Sequence, residues 1–268
     1  MLKDITLGQY YPSDSIIHRV DPRIKIISLI FIIVAVFLCK TPLAYLVAVI
    51  FNFVLILLSK IRFKTVFKAI KPVLYLIVFT AIINIFLTGG KEVLWQYKFL
   101  AVTKNGVRSA VSMAIRIVLL VSYTSLLTFT TSPIRLTDGI ESLLKPFSKI
   151  GLPSHELAMM MTIALRFIPT LLEETDKIIM AQKSRGADFE SGNIFKRAKA
   201  LIPILVPLFI NSFRRADDLA TAMECRCYRG GDNRTKLKEL KMHCSDFICF
   251  TMVLIIFSTI IVFGVFGI

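Results

Sequence analysis

Ala181-Gln182-Lys183-Ser184-Arg185-Gly186 and Ala222-Met223-Glu224-Cys225-Arg226-Cys227 are two versions of one pattern, and their reading decides the fold. In each, an alanine precedes an arginine by four residues, and the pair shifts by 41 positions, from 181 to 222 and from 185 to 226. Each closes a segment of helical character. The first runs from about Ser154 through Pro169 and the acids Glu173, Glu174 and Asp176; the second runs from about Ile194 through Pro203 and Pro207 to Asp217 and Asp218. The chain thus holds two related helices, each with an arginine in its last turn. One account makes the arginines caps, since a cation there gains roughly 0.3–1 kcal/mol from the helix dipole and Gly186 suits a left-handed closing residue. Capping alone asks for no alanine one turn upstream. The matched small residue points instead to close approach by something else, so cap and docking key both stand.

Working outward, Leu157–Leu165 and Leu201–Ile210 are apolar runs too short to cross a bilayer, and Pro203 and Pro207 would kink the second. From Thr131 to Asp246 charges recur about every turn, which fits amphipathic helices that bury one face against a partner or the membrane surface. Met159, Met160 and Met161 give the first of them a soft, adaptable surface or a core filler. Arg214 and Asp218 are spaced for an i, i+4 pair on a solvated face.

The rest of the chain is much more apolar. The whole chain of 268 residues is 55% hydrophobic with 21 phenylalanines, and its mean hydropathy is +0.70. This composition belongs to an integral membrane protein. The net charge of +15 fits basic loops flanking apolar spans. The basic residues are scattered between those spans and not collected on one soluble surface, which argues against a nucleic-acid partner.

Residues 1–25 form a polar, turn-prone lead-in with no removable signal peptide expected. Ile26–Cys39 and Leu43–Leu58 are two spans hinged at Lys40-Thr41-Pro42, the first short of the roughly 20 residues a straight span needs. Lys60, Arg62, Lys64, Lys68 and Lys71 crowd the next connection, which the positive-inside rule assigns to the cytoplasm; Ile61, Phe63, Val66 and Phe67 are expected to face lipid there. Pro72–Leu87 is a third span, ending at Gly89-Gly90. Val107–Phe129 is a fourth and carries Arg116, which either faces the protein interior or snorkels to an interface. Phe247–Ile268 closes the chain. The expected fold is an all-α polytopic membrane protein: a cytoplasmic segment at 1–25, four transmembrane helices in 26–130, a cytoplasmic helical domain at 131–246, and a final span at 247–268.

Catalytic motifs are lacking. The sequence has no phosphate-cradling Gly-x-x-x-x-Gly-Lys-Ser/Thr and no His-Glu-x-x-His. Asp217-Asp218 lacks the second acidic cluster that a magnesium-diphosphate site of a membrane lipid or prenyl enzyme requires. Cys225-x-Cys227 is too tight for a zinc clip and has no second ligand pair. No metal site is expected, and reduced thiols are.

Three features carry a resemblance to the transmembrane T components of energy-coupling factor (ECF) transporters. Gly8-Gln9-Tyr10, Pro12, Ser15, His18-Arg19, Asp21-Pro22-Arg23 and Lys25 look like the family's opening motif. Ser184-Arg185-Gly186 and Cys225-Arg226-Cys227 look like its paired Ala-Arg-Gly signatures. The span order, with a helical coupling domain before the last span, also agrees. Ser184 and Cys225 stand where the pattern has alanine, and Cys227 where it has glycine; all are small. The second copy has no glycine until Gly230, which leaves the end of its helix open.

The resemblance implies a non-catalytic scaffold in the cell membrane, with its N-terminus and coupling domain cytoplasmic. Ala181, Ser184, Arg185, Gly186, Ala222, Cys225, Arg226 and Cys227 would engage two cytoplasmic ABC ATPase subunits. His18, Asp21, Pro22 and Arg23 would belong to the family's N-terminal motif. A small substrate-binding membrane subunit would be a further partner, for uptake of a vitamin or other micronutrient. ATP and magnesium would be bound by the ATPases, and this chain would hold no cofactor. A T component dedicated to cobalt or nickel is the alternative within transport.

Overall fold

The computed structural model describes residues 10–87, 93–97, 100–151, 153–189, 193–230 and 242–266. Gly8-Gln9, Gly89-Gly90 and the final Gly267-Ile268 lie outside the described residues. The chain divides into two compact units, one of Gly8–Gly139 with Leu240–Ile268, the other of Ile140–Glu239.

In the first unit two of the early helices start at a polar cap followed by proline, whose missing N–H is harmless in a first turn. A short turn, α1 (Ile16–Arg19), is capped by Ser15. Asp21 caps α2 (Pro22–Leu38) and Thr41 caps α3 (Pro42–Ser59). Lys60 ends α3 in the left-handed region at φ +54°, after which α4 (Phe63–Ile70) and α5 (Leu74–Leu87) follow through a 3₁₀ turn at Lys71–Val73. A two-stranded antiparallel hairpin, β1 (Val93–Tyr97) with β2 (Leu100–Thr103), interrupts the helices and pairs Tyr97 with Leu100. This hairpin is an addition to the all-helical expectation. Thr103 then caps α6 (Lys104–Thr130), and α7 (Pro133–Leu144) follows.

α2, α3, α6 and the last helix, Cys244–Phe266, share one core. Ala35, Ala44 and Ala48 are almost fully buried and lie beside Val36, Leu119, Tyr123 and Ile260. Without a hydrophobic drive between helices in lipid, such small residues let backbones come close, and interhelical hydrogen bonds add to the packing. Such bonds form here. The Tyr123 hydroxyl donates to the Ala48 carbonyl at 2.8 Å, Ser122 Oγ to Asn52 Oδ1 at 3.0 Å, and Thr41 Oγ1 to the Phe263 carbonyl at 3.1 Å. Arg116 faces the protein: its Nη2 donates to Tyr45 Oη at 2.8 Å and to the Cys39 carbonyl at 3.3 Å, with Phe37 beneath the guanidinium.

A second cluster joins Ile56, Ile61, Val66, Leu126 and Phe129. It corrects part of the expectation for the basic connection: Phe63 and Phe67 are exposed, but Ile61 and Val66 are buried. They turn inward because α4 packs on the end of α6.

Among the described residues, five helical stretches are long and apolar enough to cross a membrane: Pro42–Ser59, Phe63–Phe86, Lys104–Thr130, Ser154–Ser184 and Cys244–Gly264. α2 has 17 residues, about 26 Å at an ideal rise, so it is short for a span of about 30 Å.

The second unit is built on α8 (Ser154–Ser184) and α9 (Ile194–Cys225), which makes Cys244–Phe266 α10. Both helices run unbroken through their prolines: α8 has 31 residues with Pro169 inside it, and α9 has 32 with Pro203 and Pro207 inside it. The short apolar runs at 157–165 and 201–210 are therefore parts of long helices, and the first lies within Ser154–Ser184, a stretch long and apolar enough to cross a membrane where the expectation made it too short. His155 Nδ1 lies 3.2 Å from Glu141 Oε1 at the start of α8.

Candidate functional site: two congruent helix ends and an N-terminal clasp

α8 and α9 are antiparallel where they touch. Gln182 Nε2 donates to the Pro203 carbonyl at 3.5 Å, and eight residues back Glu174 accepts from Asn211, eight residues on. Arg215 Nη2 lies 2.9 Å from Glu174 Oε2, at an angle outside hydrogen-bond geometry, so the contact is ionic. This replaces the expected pairing of Arg214 with Asp218, which is not formed; both side chains are exposed. From this contact, an ideal rise carries Arg185 about 16 Å beyond Glu174 and Arg226 about 22 Å beyond Asn211, in opposite senses along the pair. The two signature arginines therefore stand well apart.

Their helix ends are congruent. At the end of α8, Ala187 N–H donates to the Gln182 carbonyl at 3.0 Å and Gly186 N–H to the Lys183 carbonyl at 3.0 Å. At the end of α9, Tyr228 N–H donates to the Met223 carbonyl at 3.0 Å and Cys227 N–H to the Glu224 carbonyl at 2.8 Å. Each is a Schellman closure, with a 6→1 and a 5→2 bond that satisfy the last carbonyls. The closure requires a left-handed residue, and Gly186 (φ +83°) and Cys227 (φ +56°) fill it. α9 thus ends at Cys225 and needs no later glycine, which resolves the open end of the second signature.

Ser184 and Cys225 are the last helical residues, and Arg185 and Arg226 are the caps that follow them. Ala181, Ser184, Arg185 and Gly186 are all exposed, as are Ala222, Cys225, Arg226 and Cys227. A Cβ built on Gly186 would meet nothing within 4 Å. Among the described residues neither Arg185 nor Arg226 makes an ion pair or side-chain hydrogen bond. Each therefore offers a free planar fork of donors at a rigid helix end.

The N-terminal motif does something different: it ties together the ends of four helices in the first unit. His18 Nε2 donates to the Tyr11 carbonyl at 2.9 Å, which leaves Nδ1 to accept the Ser15 hydroxyl at 2.6 Å. Tyr11 N–H in turn donates to the Phe129 carbonyl at the end of α6. Burial pushes the His18 pKa below its ordinary value, against the hydrogen bond to Tyr11, which raises it, and the Lys25 charge lowers it further. Asp21 caps α2 by accepting Arg23 N–H at 2.9 Å, with Pro22 buried in the first turn. The Arg23 Nε lies 4.0 Å from Asp21 Oδ1.

Sequence reasoning missed Asp246, the centre of the clasp. It is 1% exposed and accepts Asp21 N–H at Oδ1 (3.1 Å) and His243 N–H at Oδ2 (2.8 Å). Lys25 Nζ completes the tie, donating to the Thr130 carbonyl at 3.0 Å and Thr131 Oγ1 at 3.1 Å. The one signal for Asp246 in the sequence is its place as an acid in the first turn of the last apolar helix.

The chain matches the family model described as "Cobalt transport protein" over residues 13–237. It is 60% identical to the energy-coupling factor transporter transmembrane protein EcfT of Clostridium kluyveri over 249 residues, 92% of each chain. It is 60% identical to that of Acidaminococcus fermentans, over 90% of this chain and 89% of the relative. Identity to that of Ruminiclostridium cellulolyticum is 53%, over 97% of this chain and 96% of the relative. With the paired helix ends and near full-length identity together, the chain belongs to the family of transmembrane components of energy-coupling factor transporters.

Proposed function

We propose that this chain is the non-catalytic coupling subunit of an ECF-type importer. It crosses the cell membrane several times, with its N-terminus and residues 131–246 on the cytoplasmic side. Arg185 and Arg226 engage two cytoplasmic ABC ATPase subunits, one at each helix end. A small substrate-binding membrane subunit packs on the apolar surface of this chain and delivers a vitamin or other micronutrient. ATP and magnesium are bound by the ATPases.

One observation carries this reading: two free guanidiniums on the same Schellman geometry, held apart on two stiff helices. Two equivalent grooves on an ATPase pair call for two equivalent keys, and arginine makes several charge-assisted bonds in such a groove. Long helices pass a displacement at one end to the other, so closure of the ATPases can move the membrane part. The cytoplasmic assignment is supported by Arg19, Arg23 and Lys25 at the clasp, and by Lys60, Arg62, Lys64, Lys68 and Lys71 on the connection whose helix, α4, packs on the end of α6. Between the transport readings, the relatives' names favour an energy-coupling factor component over one dedicated to cobalt or nickel.

The test is co-purification of the tagged chain with ATPases encoded beside its gene, with uptake measured in the same cells. The Arg185→Glu, Arg226→Glu double variant is expected to shed the ATPases or to hydrolyse ATP without uptake. Unchanged assembly and unchanged uptake in that variant would sink the proposal.

A further inference from the structure

A cavity of about 350 Å³ opens between α1 and the last turn of α3. Its lining is of two kinds. Arg19, Lys60 and Asp14 supply charge, and Ile16, Leu57 and Leu58 supply apolar surface. Among the described residues, Arg19 and Lys60 make no ion pair, even with Asp14 in the same cavity. Ile16, Leu57 and Leu58 are 62%, 53% and 44% exposed, an apolar display at the very end of a membrane span. From this rim a ridge runs down α3 at helical spacing, through Leu57, Phe53, Ile50 and Leu46, each more than half exposed. Two unpaired cations beside a cavity that is continuous with an exposed apolar strip along α3 match the layout of a lipid, a polar head joined to an apolar tail.

We propose that this cavity binds one phosphatidylglycerol from the leaflet that the basic face of the protein contacts. The phosphodiester sits between Arg19 and Lys60, and the headgroup hydroxyls donate to the Asp14 carboxylate. An acyl chain lies along the Leu57–Leu46 ridge. The site's formal charge of +1 matches the lipid's single negative charge. Asp14 disfavours a doubly charged headgroup, such as the phosphatidic acid dianion, by like-charge repulsion. Lys60 reaches the site because it occupies the left-handed closing position of α3, with its N–H bonded to the Leu57 carbonyl at 3.1 Å. The inference rests on the membrane reading above but not on the ATPase docking.

The experiment is native mass spectrometry of the delipidated full-length chain, titrated with phosphatidylglycerol and, separately, phosphatidylcholine of the same acyl chains. One phosphatidylglycerol is expected to bind in clear preference. The Arg19→Gln, Lys60→Asn variant, with asparagine chosen because it tolerates the left-handed turn, should lose that preference by roughly thirtyfold, the effect of two interfacial cations. Lys40→Gln with Arg108→Gln, at the other ends of α2 and α6, should retain it. So should Arg185→Glu with Arg226→Glu, which separates this result from failure of the docking proposal. Equal binding of the two lipids, retention by the Arg19, Lys60 variant, or equal loss in the Lys40, Arg108 control overturns the site. Full displacement by inorganic phosphate overturns the lipid as its occupant.

Discussion

Cys227 occupies the left-handed position that Gly186 occupies 41 residues earlier, at φ +56° against +83°. The two helix ends share a hydrogen-bond pattern but differ in what it costs them. A residue with a Cβ gives up about 1–2 kcal/mol there, and glycine gives up little. Cys227→Gly should therefore stabilise the end of α9 by about 1 kcal/mol, and Gly186→Ala should destabilise α8 by a similar amount. Amide exchange at Arg226 to Tyr228 and at Arg185 to Ala187 reads each effect locally. Faster exchange after Cys227→Gly would show that the cysteine side chain has a compensating contact.

Asp246 is a fixed point for two backbone donors, Asp21 N–H and His243 N–H. Replacing it by alanine leaves the Asp21 N–H unpaired in a buried place, at roughly 1–3 kcal/mol, and the His243 N–H unpaired at a part-buried place that costs less. Asp246→Ala should lower the thermal midpoint clearly, and Asp246→Asn, which keeps one acceptor oxygen, should fall between. A crosslink between cysteines placed at Asp21 and His243 in a cysteine-free background would report the same loosening. An Asp246→Ala protein as stable as the parent would mean that water or another group satisfies both donors.

The His18 hydrogen bonds require a neutral ring, because Nδ1 accepts from Ser15 while Nε2 donates to Tyr11. Burial lowers the folded-state pKa below the ordinary 6.5, so the folded protein resists the proton that the unfolded chain takes up. The contribution of His18 is then complete above about pH 6.5 and falls as the pH drops below it. Protection of residues 11–18 against amide exchange, corrected for intrinsic rates, should decline between pH 7.5 and 5, and His18→Gln should flatten the profile. A decline that persists in His18→Gln would assign it to another group.

The Glu174–Arg215 contact sets where α8 and α9 cross. Arg215 is about a third exposed, so screening holds the pair to roughly 0.5–1 kcal/mol. Glu174→Gln and Arg215→Gln, with their double variant, form a cycle whose coupling should have that size and should shrink in high salt. Additive effects would show that Asn211 alone holds Glu174.

The features legible in the sequence are those made by neighbours in the chain. A helix end is specified within about six residues, so the spacing of Ala181 with Arg185 and of Ala222 with Arg226 exposed the repeat directly. The polar caps before Pro22 and Pro42 are local in the same way. The Cys227 closure stayed hidden because left-handed backbone is normally read from glycine. Asp246 stayed hidden because its partner Asp21 is 225 positions away, and no local pattern marks a carboxylate that receives a distant N–H. Ile61 and Val66 misled for a related reason. Val66 lies on α4 and Ile61 just before it, and only their packing with Leu126 and Phe129 decides whether they meet lipid or protein.

Gly106 shows how closely the first turn of α6 approaches α5. A Cβ placed there would lie 2.9 Å from the Ile85 carbonyl oxygen and 3.2 Å from that of Asn84, both backbone atoms. Neither can move without displacing α5, and Thr103 Oγ1, which caps the turn by accepting Gly106 N–H at 3.1 Å, blocks the other side. Gly106→Ala should therefore destabilise the protein by about 1–3 kcal/mol through overpacking, although alanine normally favours a helix over glycine. Gly106→Ser should be at least as severe, since it adds a further atom in the same gap. Thermal unfolding in detergent, followed by circular dichroism, gives the comparison. A stabilised Gly106→Ala protein would mean that α5 yields at Ile85, and that the α5–α6 contact is softer than this approach implies.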